Sequence, residues 1–102
     1  MGYVKIFLDD YRRLNDNTFN RVRTYEDCIM LIDICGSDLE IIDLDYDLGS
    51  DKTGLDVLIY MDECKIRPER INIHSDHSEG APEMRRFAEK HFPGSQVTMN
   101  RL

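Results

Sequence analysis

At 102 residues with 41% hydrophobic side chains, the chain is long enough to bury one core without disulfides or a structural metal. A formal charge of −7 argues against duplex nucleic acid as a partner, because binding to phosphates requires clustered cations. The sequence has no apolar run of membrane-spanning length and no recognisable signal peptide, so we expect a single cytoplasmic domain over residues 1–102 with no membrane contact.

The predicted elements alternate between strands and helices. Residues 3–10, YVKIFLDD, predict a buried strand that ends in two acids. The more polar residues 19–25 predict a weaker strand, suited to the edge of a sheet. Between them, the segment YRRLNDNT is short and polar.

A helix is predicted over residues 24–36, where Thr24 can cap the first turn and Gly36 ends the last one. Four apolar side chains recur at helical spacing on its predicted core face: Cys28, Leu31, Ile32 and Cys35. With Cys64, the cysteines form no CxxC pair. We expect all three to be reduced residues of the core.

The alternation continues to the end of the chain. The predicted strands are residues 39–45, 70–75 and 95–100, and the predicted helices are residues 54–65 and 78–92. Strands alternating with helices predict a three-layer, doubly wound α/β domain built on a parallel sheet.

Polar side chains follow three of the predicted strands. They are Asp9 and Asp10 after the first, Asp45 and Asp47 after the third, and His74 and Ser75 after the fourth. The carboxyl ends of parallel strands lie at one edge of a sheet, where ligands bind. Clustered carboxylates raise one another's pKa unless a cation is present, and oxygen ligands suit Mg²⁺, Mn²⁺ or Ca²⁺. We therefore expect Asp9, Asp10, Asp45 and Asp47 to hold one divalent cation, with a softer transition metal as the alternative because His74 is nearby.

Several of these residues also have a purely structural interpretation. Asp9 and Asp10 can serve as turn or helix-capping residues. His74 can be a strand-end histidine whose nitrogens are satisfied within the core. Asp43 lies on the same strand face as Asp45, but we expect it at the solvent-exposed end and outside the site.

Three motifs in order resemble those of the cyclic-phosphate-processing receiver-like domains of bacteria and phages, a divergent branch of the response-regulator receivers. They are LDDYR (8–12), LDYDLG (44–49) and HSDHSEGAPEM (74–84). In the third motif, His77 stands where the family pattern has Asn. The resemblance covers nearly the whole chain. It implies a five-stranded parallel sheet of order 2-1-3-4-5, of the receiver or flavodoxin-like type, with the first helix reduced and the last missing.

The resemblance also implies roles for the polar residues at the strand ends. Asp9 and Asp10 match the acid pair of receivers, and Asp45 matches the aspartate that accepts a phosphoryl group beside Mg²⁺. Asp47 falls where receivers present a backbone carbonyl to the metal, and Ser75 matches a residue that contacts the phosphoryl group.

One departure from the receiver pattern lies at the fifth strand. Receivers carry a lysine at its end, whereas VTMNRL offers only Asn100 and Arg101. Together with the missing last helix, this counts against a role in two-component signalling.

The resulting hypothesis is a metal-dependent phosphoesterase acting on a cyclic or terminal phosphate of a nucleotide or RNA end, in a setting such as conflict between bacteria and phages. The predicted catalytic residues are Asp45, as a nucleophile or a metal ligand, His74, as a general acid or base, and Ser75, which would bind phosphate oxygens. The predicted phosphate-contacting residues are Ser75, His77, Ser78, Gly80 and Arg12. Two alternatives stay open: a receiver phosphorylated on Asp45, and a non-enzymatic module that binds a nucleotide signal or a protein.

Overall fold

The computed structural model describes residues 2–100. Strands and helices alternate after the first two strands: β1 Val4–Leu8, β2 Asn20–Val22, α1 Tyr25–Cys35, β3 Leu39–Leu44, α2 Gly54–Glu63, β4 Arg70–Ile73, α3 Gly80–His91 and β5 Gln96–Met99. A 3₁₀ turn, Gly36–Asp38, joins α1 to β3.

All five strands pair in parallel, in the order β2-β1-β3-β4-β5. This confirms the predicted α/β fold, its strand order and its receiver-like type. The order also brings the carboxyl ends of β1, β3 and β4 next to one another at one edge of the sheet, which is where sequence analysis placed the candidate site.

The three helices pack side by side on one face of the sheet. Each helical crossover runs in the same direction across the strand order, and right-handed crossovers in one direction lie on one face. The sheet side chains that meet the helices are large and apolar: Ile6, Leu8, Ile42, Leu44, Ile71 and Ile73. Burying each such side chain contributes roughly 1.5–3 kcal/mol, so this layer holds the core.

The opposite face of the sheet is covered by residues 9–19, which form the crossover from β1 to β2 without a helix. Phe7 points to this face and is fully buried. Leu14 and Phe19 of the crossover line a cavity of about 240 Å³ there. The predicted reduction of the first helix is therefore confirmed, and within residues 2–100 a loop forms the third layer.

The ends of α1 and α2 follow the expected capping chemistry. Thr24 Oγ1 accepts a hydrogen bond from the backbone N–H of Asp27 at 3.1 Å. At α2, Thr53 and Asp56 cap each other reciprocally. Such caps satisfy N–H groups that the first helical turn leaves without partners.

The three cysteines are free, as expected, but they differ in burial. Cys28 is buried in the core and Cys35 is half-buried. The prediction that Cys64 belongs to the core is wrong, because α2 ends at Glu63 and Cys64 is exposed. Burial raises the pKa of the Cys28 thiol to about 12.

Helix lengths are those of an ordinary globular domain. Within residues 2–100, none of the helices is both long enough and apolar enough to cross a bilayer.

Candidate metal and phosphate site

A cavity of about 350 Å³, which we call the acidic pocket, opens at the carboxyl ends of β1, β3 and β4. Its lining residues are Asp9, Asp10, Tyr11, Arg12, Asp45, Asp47, Gly49, Ser75, Asp76 and His77. All four predicted metal ligands therefore meet in one cavity, beside Ser75, His77 and Arg12 of the predicted phosphate contacts.

Asp9 lies at the buried base of the pocket and is 1% exposed. Its Oδ1 accepts hydrogen bonds from the backbone N–H groups of Tyr11 and Arg12, each at 2.8 Å, and its Oδ2 lies 2.9 Å from His74 Nε2. Burial would raise the pKa of Asp9, but the two backbone donors and His74 outweigh it and hold the pKa below its ordinary value. Asp9 thus fixes the turn after β1 and stays ionised in the site.

Asp45 lies half-buried at the wall of the pocket, where its Oδ1 accepts a hydrogen bond from the backbone N–H of Tyr46 at 2.8 Å. Burial and the neighbouring charge of Asp9 raise the pKa of this carboxyl group. Two carboxylates this close repel each other unless a cation lies between them.

His74 is fully buried and does not line the acidic pocket. Its Nδ1 lies 2.7 Å from Asp43 Oδ1 and its Nε2 2.9 Å from Asp9 Oδ2, while the ring stacks on Phe7 with centroids 4.8 Å apart. Burial lowers the pKa of His74, but Asp43, Asp9 and Asp45 together raise it above its ordinary value. The structure therefore brings His74 to the site through Asp9, with both ring nitrogens engaged.

Asp43 belongs to this arrangement, although the sequence analysis left it out. It is 6% exposed and accepts a second hydrogen bond from Asn72 Nδ2 at 2.9 Å. The Oδ1 of Asn72 in turn accepts from Thr98 Oγ1 at 2.6 Å and from Asn100 Nδ2 at 3.3 Å. A row of hydrogen-bonded side chains thus runs across the sheet behind the pocket.

The expectation that Asp43 lies at a solvent-exposed end is wrong, because residues 9–19 cover that face of the sheet. The alternation of side chains along a strand places Asp43 on the same face of the sheet as Asp45. Its neighbours Ile42 and Leu44 were a signal of a buried strand. A buried carboxylate needs a partner, and His74 was the candidate within reach.

Ser75 and Arg12 both line the acidic pocket. Ser75 is buried, and its Oγ accepts a hydrogen bond from the backbone N–H of His77 at 3.1 Å. Arg12 Nη2 lies 2.9 Å from Asp76 Oδ2 in an exposed ion pair. The Ser75 hydroxyl also hydrogen-bonds to the carboxylate of Asp45, whereas Arg12 keeps N–H groups that can donate to an anion in the pocket.

The other predicted phosphate contacts lie beside the pocket. Gly80 is buried against the ring of Tyr46, and its N–H donates to His77 Nδ1 at 2.8 Å. Ser78 lines a neighbouring cavity that it shares with His77. His77 therefore caps the start of α3 with one ring nitrogen while its ring borders both cavities.

Asp10 and Asp47 are exposed at the rim of the pocket. Asp47 Oδ1 accepts a hydrogen bond from the backbone N–H of Gly49 at 2.9 Å. Each of the two carboxylates keeps acceptor capacity for a ligand in the pocket, since an ionised carboxylate has about four lone-pair sites.

The oxygen donors of this pocket fit a divalent cation. Asp9, Asp45 and His74 each have a ligand atom within 4.8 Å of the others. His74 is poorly suited to be a ligand, because both of its nitrogens already face carboxylates. The carboxylates of Asp9 and Asp45, with those at the rim, are hard oxygen ligands of the kind that Mg²⁺, Mn²⁺ and Ca²⁺ prefer.

The end of β5 carries Asn100 where receivers have lysine. Its backbone N–H donates to Ile73 O at 3.2 Å, and its side chain joins Asn72 behind the pocket. Arg101, the other residue that the sequence offered, lies outside the described residues. Among the described residues, Arg12 is a cationic side chain that lines the acidic pocket.

Comparison with solved structures supports the receiver fold. A crystal structure of the signal receiver domain of a protein assigned as a Luxo repressor, from Vibrio parahaemolyticus, superposes with a TM-score of 0.67 at 18% sequence identity. The superposition covers 98% of this chain and 78% of the other. At this identity the likeness concerns the fold alone. A search of curated proteins finds no match.

The family comparison is specific for this branch of the fold. The profile of the cyclic-phosphate processing receiver domain matches residues 4–90, which span β1 to nearly the end of α3 and contain every residue of the acidic pocket. The chain therefore belongs to the family of cyclic-phosphate processing receiver domains.

Proposed function

We propose that the domain is a divalent-metal-dependent phosphoesterase that acts on a cyclic or terminal phosphate of a nucleotide or RNA end. The observation that carries the proposal is the convergence of Asp9, Asp10, Asp45 and Asp47 in one pocket with the hydrogen-bond donors Ser75 and Arg12. Membership of a family described as processing cyclic phosphates supports the same substrate class.

The four aspartates would hold Mg²⁺, or Mn²⁺ or Ca²⁺ in its place. Such an ion, when bound, offsets negative charge on phosphoryl oxygens and lowers the pKa of coordinated water. Ser75 would exchange its hydrogen bond to Asp45 for one in which its hydroxyl donates to a phosphate oxygen. Arg12 would exchange its exposed contact with Asp76 for the phosphate, with which it can form two parallel hydrogen bonds.

Asp45 is the residue best placed to act on the phosphorus or on the attacking water. It is half-buried in the pocket wall, and one of its oxygens lies within 4.8 Å of a ligand atom of Asp9. His74 is better suited to positioning than to proton transfer, because Asp9 and Asp43 occupy its ring nitrogens. It would hold the carboxylate of Asp9 in its orientation towards the metal.

The first test is a mass-spectrometric screen of cyclic mono-, di- and oligonucleotides and of 2′,3′-cyclic RNA ends, with Mg²⁺, Mn²⁺ or EDTA. We expect a hydrolysis product that requires the metal. The Asp45→Asn variant should lose this activity by a factor of at least about 100, because the variant removes a charged group that contacts the reacting phosphate. Asp51→Asn, in the exposed turn outside the acidic pocket, is the matched control and should keep it.

The same screen separates the proposal from its alternatives. Full activity of Asp45→Asn with metal present would show that the site is assigned wrongly. Loss of free ligand without a product would favour a nucleotide-binding module. Addition of one phosphoryl group to the wild-type chain by a small phosphodonor, without turnover of cyclic phosphates, would favour a receiver phosphorylated on Asp45.

A further inference from the structure

A second cavity, which we call the side pocket, opens between β5 and the start of α3. Its volume is about 250 Å³, and it shares Ser75, Asp76 and His77 with the acidic pocket. The two cavities therefore adjoin across these three residues, and one ligand can reach from the first into the second.

The chemistry of the side pocket differs from that of the acidic pocket. Its apolar lining consists of Ile73 and Ala81, which are almost fully buried, and of Pro82 and Met99, which are exposed. Its polar lining residues are Ser78 and the three residues that it shares with the acidic pocket, Ser75, Asp76 and His77. An apolar cavity with a few polar groups is typical of sites for organic rings, whereas a phosphate requires several donors or a metal.

His77 separates the two cavities in a defined orientation. Its Nδ1 accepts the N–H of Gly80 at 2.8 Å, and its ring packs on Tyr46 with centroids 4.5 Å apart. These two contacts hold the ring at the border of both cavities. The side pocket is therefore preformed, which reduces the entropy cost of ordering a ligand in it.

We propose that the side pocket is the nucleobase subsite of this domain, so that the ligand is a nucleoside phosphate with its phosphate in the acidic pocket and its base against Pro82 and Met99. This assignment rests on the proposed function, since it presupposes that a phosphate binds in the acidic pocket. The two volumes, about 350 Å³ and about 250 Å³, together fall in the range of sites for ligands of this size.

Tyr11 offers a rival platform for the base. It lines the acidic pocket on the side of β1, and its side chain is 87% exposed. An aromatic ring can stack on a base, but a ring that is mostly in water removes less apolar surface from water than a cavity does. The side pocket is therefore the better site for the base. The experiment includes a Tyr11 variant to test the rival site.

The test measures the binding of AMP and of ribose 5-phosphate by calorimetry with Mg²⁺ present, since these ligands differ only in the base. We expect AMP to bind the wild-type chain about tenfold more tightly or better. Met99→Trp, which fills the side pocket from the exposed edge strand, should bring AMP down to the affinity of ribose 5-phosphate and leave ribose 5-phosphate unchanged. Pro82→Phe, on the exposed start of α3, should do the same.

Met30→Trp is the matched control, because Met30 is 61% exposed on α1 and lines neither cavity. It should keep the full preference for AMP. Equal affinity of the wild type for the two ligands would reject the subsite while leaving the phosphate site in place. Loss of the preference in Tyr11→Ala, but not in Met99→Trp and Pro82→Phe, would also reject it. Binding of neither ligand would reject the phosphate site, and the subsite with it.

Discussion

Asp43, His74 and Asp9 form a buried chain in which one imidazole lies between two carboxylates. When His74 is protonated, these three side chains together carry one net negative charge. When His74 is neutral, they carry two. Each charged group faces a partner within 3 Å, which is the condition under which buried charges are tolerated. The imidazole behind Asp9, whose pKa these carboxylates raise, therefore gives both buried carboxylates a partner before any metal binds.

Removal of His74 should strongly destabilise the chain. In His74→Ala, Asp9 and Asp43 keep their buried positions but lose the group that compensates their charge. Breaking a buried pair in this way typically costs about 3–5 kcal/mol. We expect a loss of this size in the free energy of unfolding, measured by urea denaturation in EDTA.

His91→Ala is the matched control for this experiment. His91 Nδ1 lies 3.2 Å from Asp62 Oδ2 in a partly exposed pair on the helical side of the molecule, where the interaction is worth about 1 kcal/mol or less. Equal losses of unfolding free energy in His74→Ala and His91→Ala would show that the buried Asp43–His74–Asp9 contacts stabilise the fold no more than a partly exposed pair does.

The individual site residues were predictable from the sequence to different degrees. Asp9, Asp45 and Ser75 could be assigned from their positions at the ends of apolar runs, because strand ends in a parallel sheet share one edge. The burial of Asp43 and the hydrogen bonds of His74 could not be predicted in this way. Whether a strand face is covered depends on the path of residues 9–19, and that polar segment carries no periodic pattern.

At the level of elements, the junction of β3 and α2 holds Asp45 in position. The N–H of Gly54, the first residue of α2, donates to Tyr46 O at 3.0 Å. A Cβ atom on Gly54 would overlap the carbonyl oxygen of Asp45 and approach Met84 Cε to 2.7 Å. The absence of a side chain at this position is what allows the helix to lie so close to the end of the strand.

Gly54→Ala should therefore disturb both stability and metal binding. We expect the free energy of unfolding to fall by about 1–3 kcal/mol, as in other overpacked sites, and the affinity for Mg²⁺ to fall because the backbone of Asp45 must shift. Both quantities can be read from thermal unfolding with increasing Mg²⁺.

Gly94→Ala is the corresponding control, since a Cβ at that position meets nothing within 4 Å. We expect it to change stability by no more than a few tenths of a kcal/mol. Wild-type stability and metal response in Gly54→Ala would mean that the contact with Asp45 relaxes without consequence.

Elements with strong periodic patterns were the most predictable. The predicted helix over residues 54–65 is observed as Gly54–Glu63, and the predicted strand over 39–45 as Leu39–Leu44. The edge strand β2 is shorter than predicted, three residues instead of seven, because its pairing with β1 and not its composition determines its length. The pattern of side chains does not determine where such a strand begins and ends.

For the whole molecule, the acidic pocket implies a dependence of stability on divalent metal. Asp45 has a raised pKa because burial and Asp9 disfavour its charge, so at neutral pH its ionised form costs folding free energy. A cation bound only by the folded state removes this cost. At about 100 times its Kd it stabilises the fold by about 2.7 kcal/mol.

We therefore expect Mg²⁺ to raise the Tm of the wild-type chain by several degrees. In EDTA, Asp45→Asn should have a higher Tm than the wild type, because the variant removes the repulsion from Asp9. In Mg²⁺ the difference in Tm between the variant and the wild type should become smaller or change sign. Differential scanning calorimetry at one pH, with EDTA or Mg²⁺, gives all four values. A variant that is less stable than the wild type in EDTA would contradict the electrostatic account of the pocket.

The loop of residues 9–19 has a consequence for local unfolding. It begins at Asp9, whose carboxylate caps its first turn, and it ends at the three-residue strand β2, which pairs only with β1 in the described sheet. Short edge strands and loops open at low free energy, well below that of global unfolding. Each opening would expose Asp43 and release Asp9 together. The hydrogen-exchange protection of β2 should therefore follow the occupancy of the metal site.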